Sequence, residues 1–153
     1  MVNRIIRRIP VEKEDSIVGK RPDMMKIAIV EDNPVIPEVL AAMLRVSGYQ
    51  SDVFDTGASL LPVLLAEDSP PYDLLILDYL LPGGVSGLDI LEAVHQHPSR
   101  KTFPIILISA AERGILAQVE AAYPDVPVLR KPFPLRSLLS LIERLTHRRA
   151  SDV

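Results

Sequence analysis

The chain has 153 residues, 48% of them hydrophobic, and a formal net charge of −3. This suits one domain with a real core, and the acidic balance excludes a domain-wide nucleic-acid surface. With no cysteine there is no disulfide framework or thiolate metal site, and no apolar run reaches the ~18 residues that span a bilayer. A reducing, cytoplasmic setting is the expectation.

The charge is unevenly placed. Arg4, Arg7, Arg8, Lys13, Lys20 and Arg21 outnumber Glu12, Glu14 and Asp15, so the start is basic and the body acidic. The opening MVNRIIRRIP is followed by no long apolar segment or small-residue cleavage site, which argues against a signal peptide. Pro10, Gly19 and Pro22 interrupt any period. Residues 1–23 therefore read as an N-terminal extension, expected to be flexible. Docking on the body or on a partner is the other reading, because Ile5, Ile6 and Ile9 with Arg4, Arg7 and Arg8 suit one short amphipathic turn. Met24 and Met25 are an alternative start. Residues 24–147 read as the folded domain, and 148–153 as a polar C-terminal tail.

Lys26–Val30 is a short buried-strand pattern ending at Glu31 and Asp32. Asn33 is a good N-cap and Pro34 suits a first helical position. The helix runs to about Ser47, with Val39, Leu40, Met43 and Leu44 on one face and Gly48 as its stop. Pro37 makes the first turn irregular or moves the helix start to itself. Gln50–Phe54 is a weaker, polar strand that suits a sheet edge. Thr56 opens a second helix through Leu65, with Pro62 near its beginning. Leu74–Leu77 is an unbroken apolar run closed by Asp78, and Leu81–Gly84 stops the strand. Ser86 caps a third helix ending near Pro98. Pro104–Ser109 is another apolar strand, and Ala110–Tyr123 a helix weakened by Gly114. Val126–Arg130 contains Pro127, which places it at the other edge. Leu135 to about His147 is a last amphipathic helix, with Leu138, Leu139, Ile142 and Leu145 inward.

Five strands alternating with five helices predict an α/β fold: a five-stranded parallel, doubly wound sheet with right-handed crossovers. With the most apolar strands central, the order becomes 2-1-3-4-5, the flavodoxin-like arrangement.

In such a sheet all strand carboxyl ends share one rim. There the sequence places Glu31 and Asp32, Asp78, Ser109 and Lys131. Gathered carboxylates repel unless a cation is present. Oxygen ligands without His or Cys suit a hard ion such as Mg²⁺. An ammonium can hold an incoming anion and a hydroxyl can donate to it. The set matches phosphoryl transfer, with Asp78 as nucleophile.

These residues resemble the receiver domain of two-component response regulators over about 25–147. The likeness rests on IVEDN, LLILDYLLPGGVSG, ILISA and RKPF, in that order, each at the end of an expected strand. It implies that Asp78 accepts a phosphoryl group and that Ser109 and Lys131 contact it. It implies Mg²⁺ held by Asp32 and Asp78, by Glu31 through water, and by the backbone carbonyl of Leu80. It also implies a cis Lys131–Pro132 bond. Two departures stand out. Val128 occupies a position that is often aromatic in the family and swings inward on activation, so output must use backbone or helix movement. The loop after Asp78 places Gly87 one residue late, an insertion the glycine pair absorbs. By the same likeness, Leu80 and Ala111 occupy positions that flank the path of an attacking water; they offer it no polar group, which predicts slow self-dephosphorylation.

The expected function is thus a phosphoacceptor in two-component signal transduction, a receiver or phosphorelay intermediate. It would be charged by a sensor histidine kinase, a histidine phosphotransfer protein or a small phosphodonor, with no catalysis beyond its own phosphorylation and dephosphorylation. Six residues follow His147, so output is expected through protein contacts with a downstream target. A homodimer through helix 4, strand 5 and helix 5 is the second possibility, and neither membrane insertion nor direct DNA binding is expected. The alternatives are a phosphorylation-independent receiver-like interaction module and an aspartyl-phosphate hydrolase. The latter typically needs an acid two residues after the nucleophile, where this chain has Leu80.

Overall fold

Strands and helices alternate along the chain: β1 (Lys26–Val30), α1 (Ile36–Val46), β2 (Gln50–Phe54), α2 (Gly57–Leu64), β3 (Leu74–Asp78), α3 (Gly87–Gln96), β4 (Ile105–Ser109), α4 (Arg113–Ala122), β5 (Val128–Arg130) and α5 (Leu135–Ser151). The structure is a computed structural model that describes residues 25–33, 35–66, 72–81, 83–100 and 102–151, with side chains as far as His147. The extension at 1–23 and Pro34 lie outside the described residues.

All strand pairs are parallel and the order is β2-β1-β3-β4-β5. The three apolar strands are central and the two weaker ones form the edges. β3 and β4 are buried along their whole length. Alternation along the strands divides the core into two layers. Ile27, Ile29, Leu74, Ile76, Ile106 and Ile108 face α1 and α5. Ala28, Val30, Leu75, Leu77, Ile105 and Leu107 face α2, α3 and α4. Each fully buried Leu or Ile stabilises by roughly 1.5–3 kcal/mol, so the sheet core outweighs the local defects of the helices.

Those defects are where the expected boundaries shift. α1 starts at Ile36 with Val35 as N-cap. Asn33 does not cap it; the Asn33 Oδ1 accepts the Val35 N–H at 2.9 Å, a local turn ahead of the helix. Pro37 falls in the first turn, where its missing donor has no helical partner to lose. At the far end Gly48, with φ +94°, donates to the Arg45 carbonyl while Tyr49 donates to that of Leu44. That is a Schellman closure, and it requires the left-handed conformation that glycine adopts freely. The expected apolar face of α1 is only half right: Leu40 and Leu44 are buried, whereas Val39 and Met43 are exposed.

α2 is capped by Thr56, which accepts the Ser59 N–H. Pro62 stands beyond its first turn rather than near its beginning, and the helix is only eight residues long. α3 begins with a reciprocal capping box between Ser86 and Asp89. α4 begins at Arg113, three residues later than the pattern suggested. β5 is confined to three residues, with Pro127 just outside it; the Pro127 carbonyl accepts the Leu107 N–H. α5 runs on to Ser151, beyond the end expected near His147.

Two polar clusters brace the amino-terminal side of the sheet. The Lys26 ammonium lies 3.0 Å from Asp52, and the buried Tyr72 hydroxyl donates to Asp52 at 2.6 Å. Arg100, also buried, donates from Nε to the Leu64 carbonyl at 3.0 Å and from Nη2 to that of Ala66 at 2.8 Å, closing the end of α2.

Candidate functional site

Four separate strands deliver side chains to one rim. Glu31 and Asp32 leave β1, Asp78 ends β3, Ser109 ends β4 and Lys131 follows β5. Register sets their heights: Val30 pairs with Leu77, so Glu31 stands beside Asp78. The Lys131 N–H donates to the Ser109 carbonyl at 2.8 Å, continuing the β4–β5 ladder one residue further. The Lys131–Pro132 peptide is cis.

The Lys131 ammonium bridges two acids. It donates to Glu31 Oε2 at 2.7 Å and to Asp78 Oδ2 at 2.9 Å. The second oxygen of each carboxylate accepts a backbone donor: Leu80 N–H to Asp78 Oδ1 at 2.9 Å, and Asn33 N–H to Glu31 Oε1 at 3.3 Å. Glu31 and Asp78 are buried and Asp32 is exposed. One carboxylate oxygen from each of the three acids fits within a 4.8 Å group. Unit charges at that spacing repel by roughly 4 kcal/mol in a partly screened setting, and a single ammonium faces two of them. Burial, opposed by the bond to Lys131 and reinforced by Asp78, pushes the Glu31 pKa up to about 7. For Lys131 burial acts to lower the pKa, but the bonds to Glu31 and Asp78 win and hold it above the usual lysine value.

The rim opens into a cleft of about 450 Å³ lined by Glu31, Asp32, Asn33, Asp78, Leu80, Ala110 and Lys131. Of the acids, the hydroxyl and the ammonium that the sequence places at the rim, all but Ser109 line it; Leu80 does so too, and Ala111 does not. Ser109 is fully buried, and its Oγ accepts the Ala111 N–H at 2.9 Å, which leaves its own O–H free to donate. Sequence reasoning missed Asn33 and Ala110 as cleft residues. Asn33 was legible only as a helix cap, and the alanine carries no chemical signal. Gly87 has a second role here. A Cβ at that position would lie 2.6 Å from the Asp78 carbonyl oxygen and 2.7 Å from the Tyr79 Cα, so α3 packs directly on the backbone that presents Asp78. Val128 is half-buried in β5 opposite Leu107.

An acidic group of oxygen ligands, with no nitrogen or sulfur among them, fits a hard divalent cation. Among the described residues no helix is long and apolar enough to cross a membrane.

Sheet order, crossovers and rim together define a doubly wound α/β domain with its acidic cleft at the strand carboxyl ends. The sequence profile of the response regulator receiver domain matches residues 27–143, and the chain belongs to that family. Sensory transduction protein RegX3 of Mycobacterium tuberculosis is 30% identical over 84% of this chain and 54% of its own length. The phosphate regulon transcriptional regulatory protein PhoB of Rhizobium meliloti is 33% identical over 84% of this chain and 55% of its own. The chain thus spans about half the length of these two relatives. Chemotaxis protein CheY of Pseudomonas aeruginosa, 32% identical, is covered over 98% of its length. Among solved structures, response regulator TrrA of Thermotoga maritima in complex with Mg²⁺-BeF is 29% identical, with a TM-score of 0.67 over 80% of this chain and 99% of that one. A CheY-like receiver domain from Methanospirillum hungatei reaches 0.73 at 21% identity, over 85% of this chain and 99% of its own, a likeness of fold.

Proposed function

We propose that this receiver domain is a phosphoacceptor of a two-component system, charged at Asp78 by a histidine kinase, a histidine phosphotransfer protein or a small phosphodonor. One observation carries the reading: a buried carboxylate at the end of the central strand has a fixed ammonium on one oxygen and a backbone N–H on the other, and faces an open cleft.

Asp78 supplies the attacking oxygen. An O–P bond forms to its carboxylate as the P–N bond of a phosphohistidine, or the P–O bond of acetyl phosphate, breaks. The electron pair leaves with the imidazole or acetate. Lys131 then has a phosphoryl oxygen in place of a carboxylate as its partner, and Ser109 turns its O–H towards another. Asp32, Asp78 and the Leu80 backbone carbonyl, with Glu31 through water, would hold a Mg²⁺ ion. When bound, Mg²⁺ neutralises charge between these acids and the phosphoryl oxygens. TrrA, 29% identical to this chain, is in complex with Mg²⁺-BeF, which supports a Mg²⁺ ion as the cation this cleft takes. The Leu80 side chain has no proton to give a leaving group, so the hydrolase reading gains no support.

Output would run through α4, β5 and α5 without an aromatic swing, because Val128 is too short for one; the surface they form is the assigned face for a downstream protein or a second copy. The test is intact mass after acetyl phosphate and Mg²⁺. A gain of one phosphoryl group, lost in Asp78→Asn, is expected. An unmodified chain under conditions that charge a known receiver would leave only the interaction-module reading.

A further inference from the structure

The outward stripe of α1 has no covering in the described structure. Val35, Val39, Met43 and Val46 recur at intervals of four and three, so they share one helical face. They are 64%, 47%, 38% and 89% exposed. Singly exposed apolar residues are ordinary, but four aligned along three turns form a patch.

We propose that the stripe is the docking surface for this chain's own segment Arg4–Ile9. At helical spacing Ile5, Ile6 and Ile9 fall on one face, and Arg4, Arg7 and Arg8 on the other. Three branched apolar side chains thus meet a stripe of three valines and a methionine. The arginines meet solvent and the exposed acids Asp32 and Glu38 at the amino-terminal end of α1.

Connectivity favours this occupant over a free partner. The described chain begins at Met25, whose carbonyl accepts the Gln50 N–H, beside the carboxyl end of α1 and the most exposed of the four, Val46. Fifteen residues separate Ile9 from Met25. A flexible chain of that length spans about 22 Å on average, against about 16 Å for an eleven-residue helix. Tethering over that span gives an effective concentration in the ~millimolar range, so a weak apolar contact suffices.

The absence of native cysteine makes the test clean. In the full chain, Ile6→Cys is paired either with Val39→Cys or with Glu120→Cys, which is exposed on α4 across the sheet. Under mild oxidation the first pair is expected to form an intramolecular disulfide at least tenfold faster than the second. Equal rates overturn the proposal, as do disulfide-linked dimers in place of the internal bond; dimers would assign the stripe to a second copy. A second measurement leaves α1 intact. The ¹³C-methyl resonance of Met43 is expected to move in Ile6→Ser/Ile9→Ser and to stay in Lys20→Ser. No movement in the double variant overturns the proposal.

Discussion

The Lys131 ammonium holds the Asp78 carboxylate at 2.9 Å and, through the same nitrogen, Glu31 at 2.7 Å. A residue that follows the edge strand thereby bridges acids at the ends of two inner strands. Lys131→Met keeps the bulk and removes the charge, leaving two buried carboxylates face to face. The expected loss is about 3 kcal/mol in urea unfolding, with at least a tenfold fall in phosphoryl incorporation. Adding Glu31→Gln is expected to recover part of the stability but not the labelling, and a strictly additive double variant would count against the coupling.

Asp78→Asn has the opposite sign. It removes one negative charge from a crowded group and keeps an oxygen for the Leu80 N–H; the bond to Lys131 is lost, but that ammonium retains Glu31 as its acceptor. A gain of about 1 kcal/mol is expected, read as a higher melting temperature, together with complete loss of labelling.

Glycine substitutions separate packing from propensity. Gly87→Ala drives a methyl into the Asp78 and Tyr79 backbone, and a loss of about 2–3 kcal/mol is expected. Gly114→Ala in α4 meets nothing within 4 Å, and a gain of about 0.5–1 kcal/mol is expected. Equilibrium unfolding of the two variants checks both signs.

Burial, and then the bond to Asp52, raise the pKa of Tyr72 above that of a free phenol. The folded state therefore keeps a proton that the unfolded chain gives up near pH 10. Its contribution is fully present below that pH and is lost as pH rises beyond it. Wild type is expected to lose stability above pH 10 more steeply than Tyr72→Phe, which should also be about 1 kcal/mol less stable at neutral pH. Absorbance at alkaline pH should show one tyrosine ionising only with unfolding.

Leu80 lines the cleft and is 52% exposed, and Ala111 is buried; neither side chain gives a water molecule a hydrogen-bond partner. The phosphoform of Asp78 is expected to be long-lived. Leu80→Asn, which retains the backbone carbonyl, should shorten its lifetime severalfold, followed by loss of the phosphoryl mass with time.

The sheet and most of the rim were legible because their signals are local. Leu74–Asp78 and Ile105–Ser109 are apolar runs that end in a polar residue, and a parallel sheet turns such endings into one site. Less legible were features decided by neighbours. Val39 and Met43 carry the composition of a core face, yet α1 buries only the narrower stripe around Leu40 and Leu44. Asn33 has the chemistry of a cap but spends it on Val35 before the helix begins. Ser109 belongs to the right strand end, while its burial and its bond to Ala111 depend on a loop conformation that spacing does not encode.

The two halves of the charged pair are mounted on very different footings. Asp78 sits on a strand laddered on both sides and sealed from water, whereas Lys131 hangs from a three-residue strip with pairing on one side. One jaw is thus an anvil and the other a hinged arm. Amide exchange at Leu129 and Lys131 should outrun that at Leu77 by orders of magnitude, and any group that changes Lys131's grip will be felt first along the rim's loosest edge.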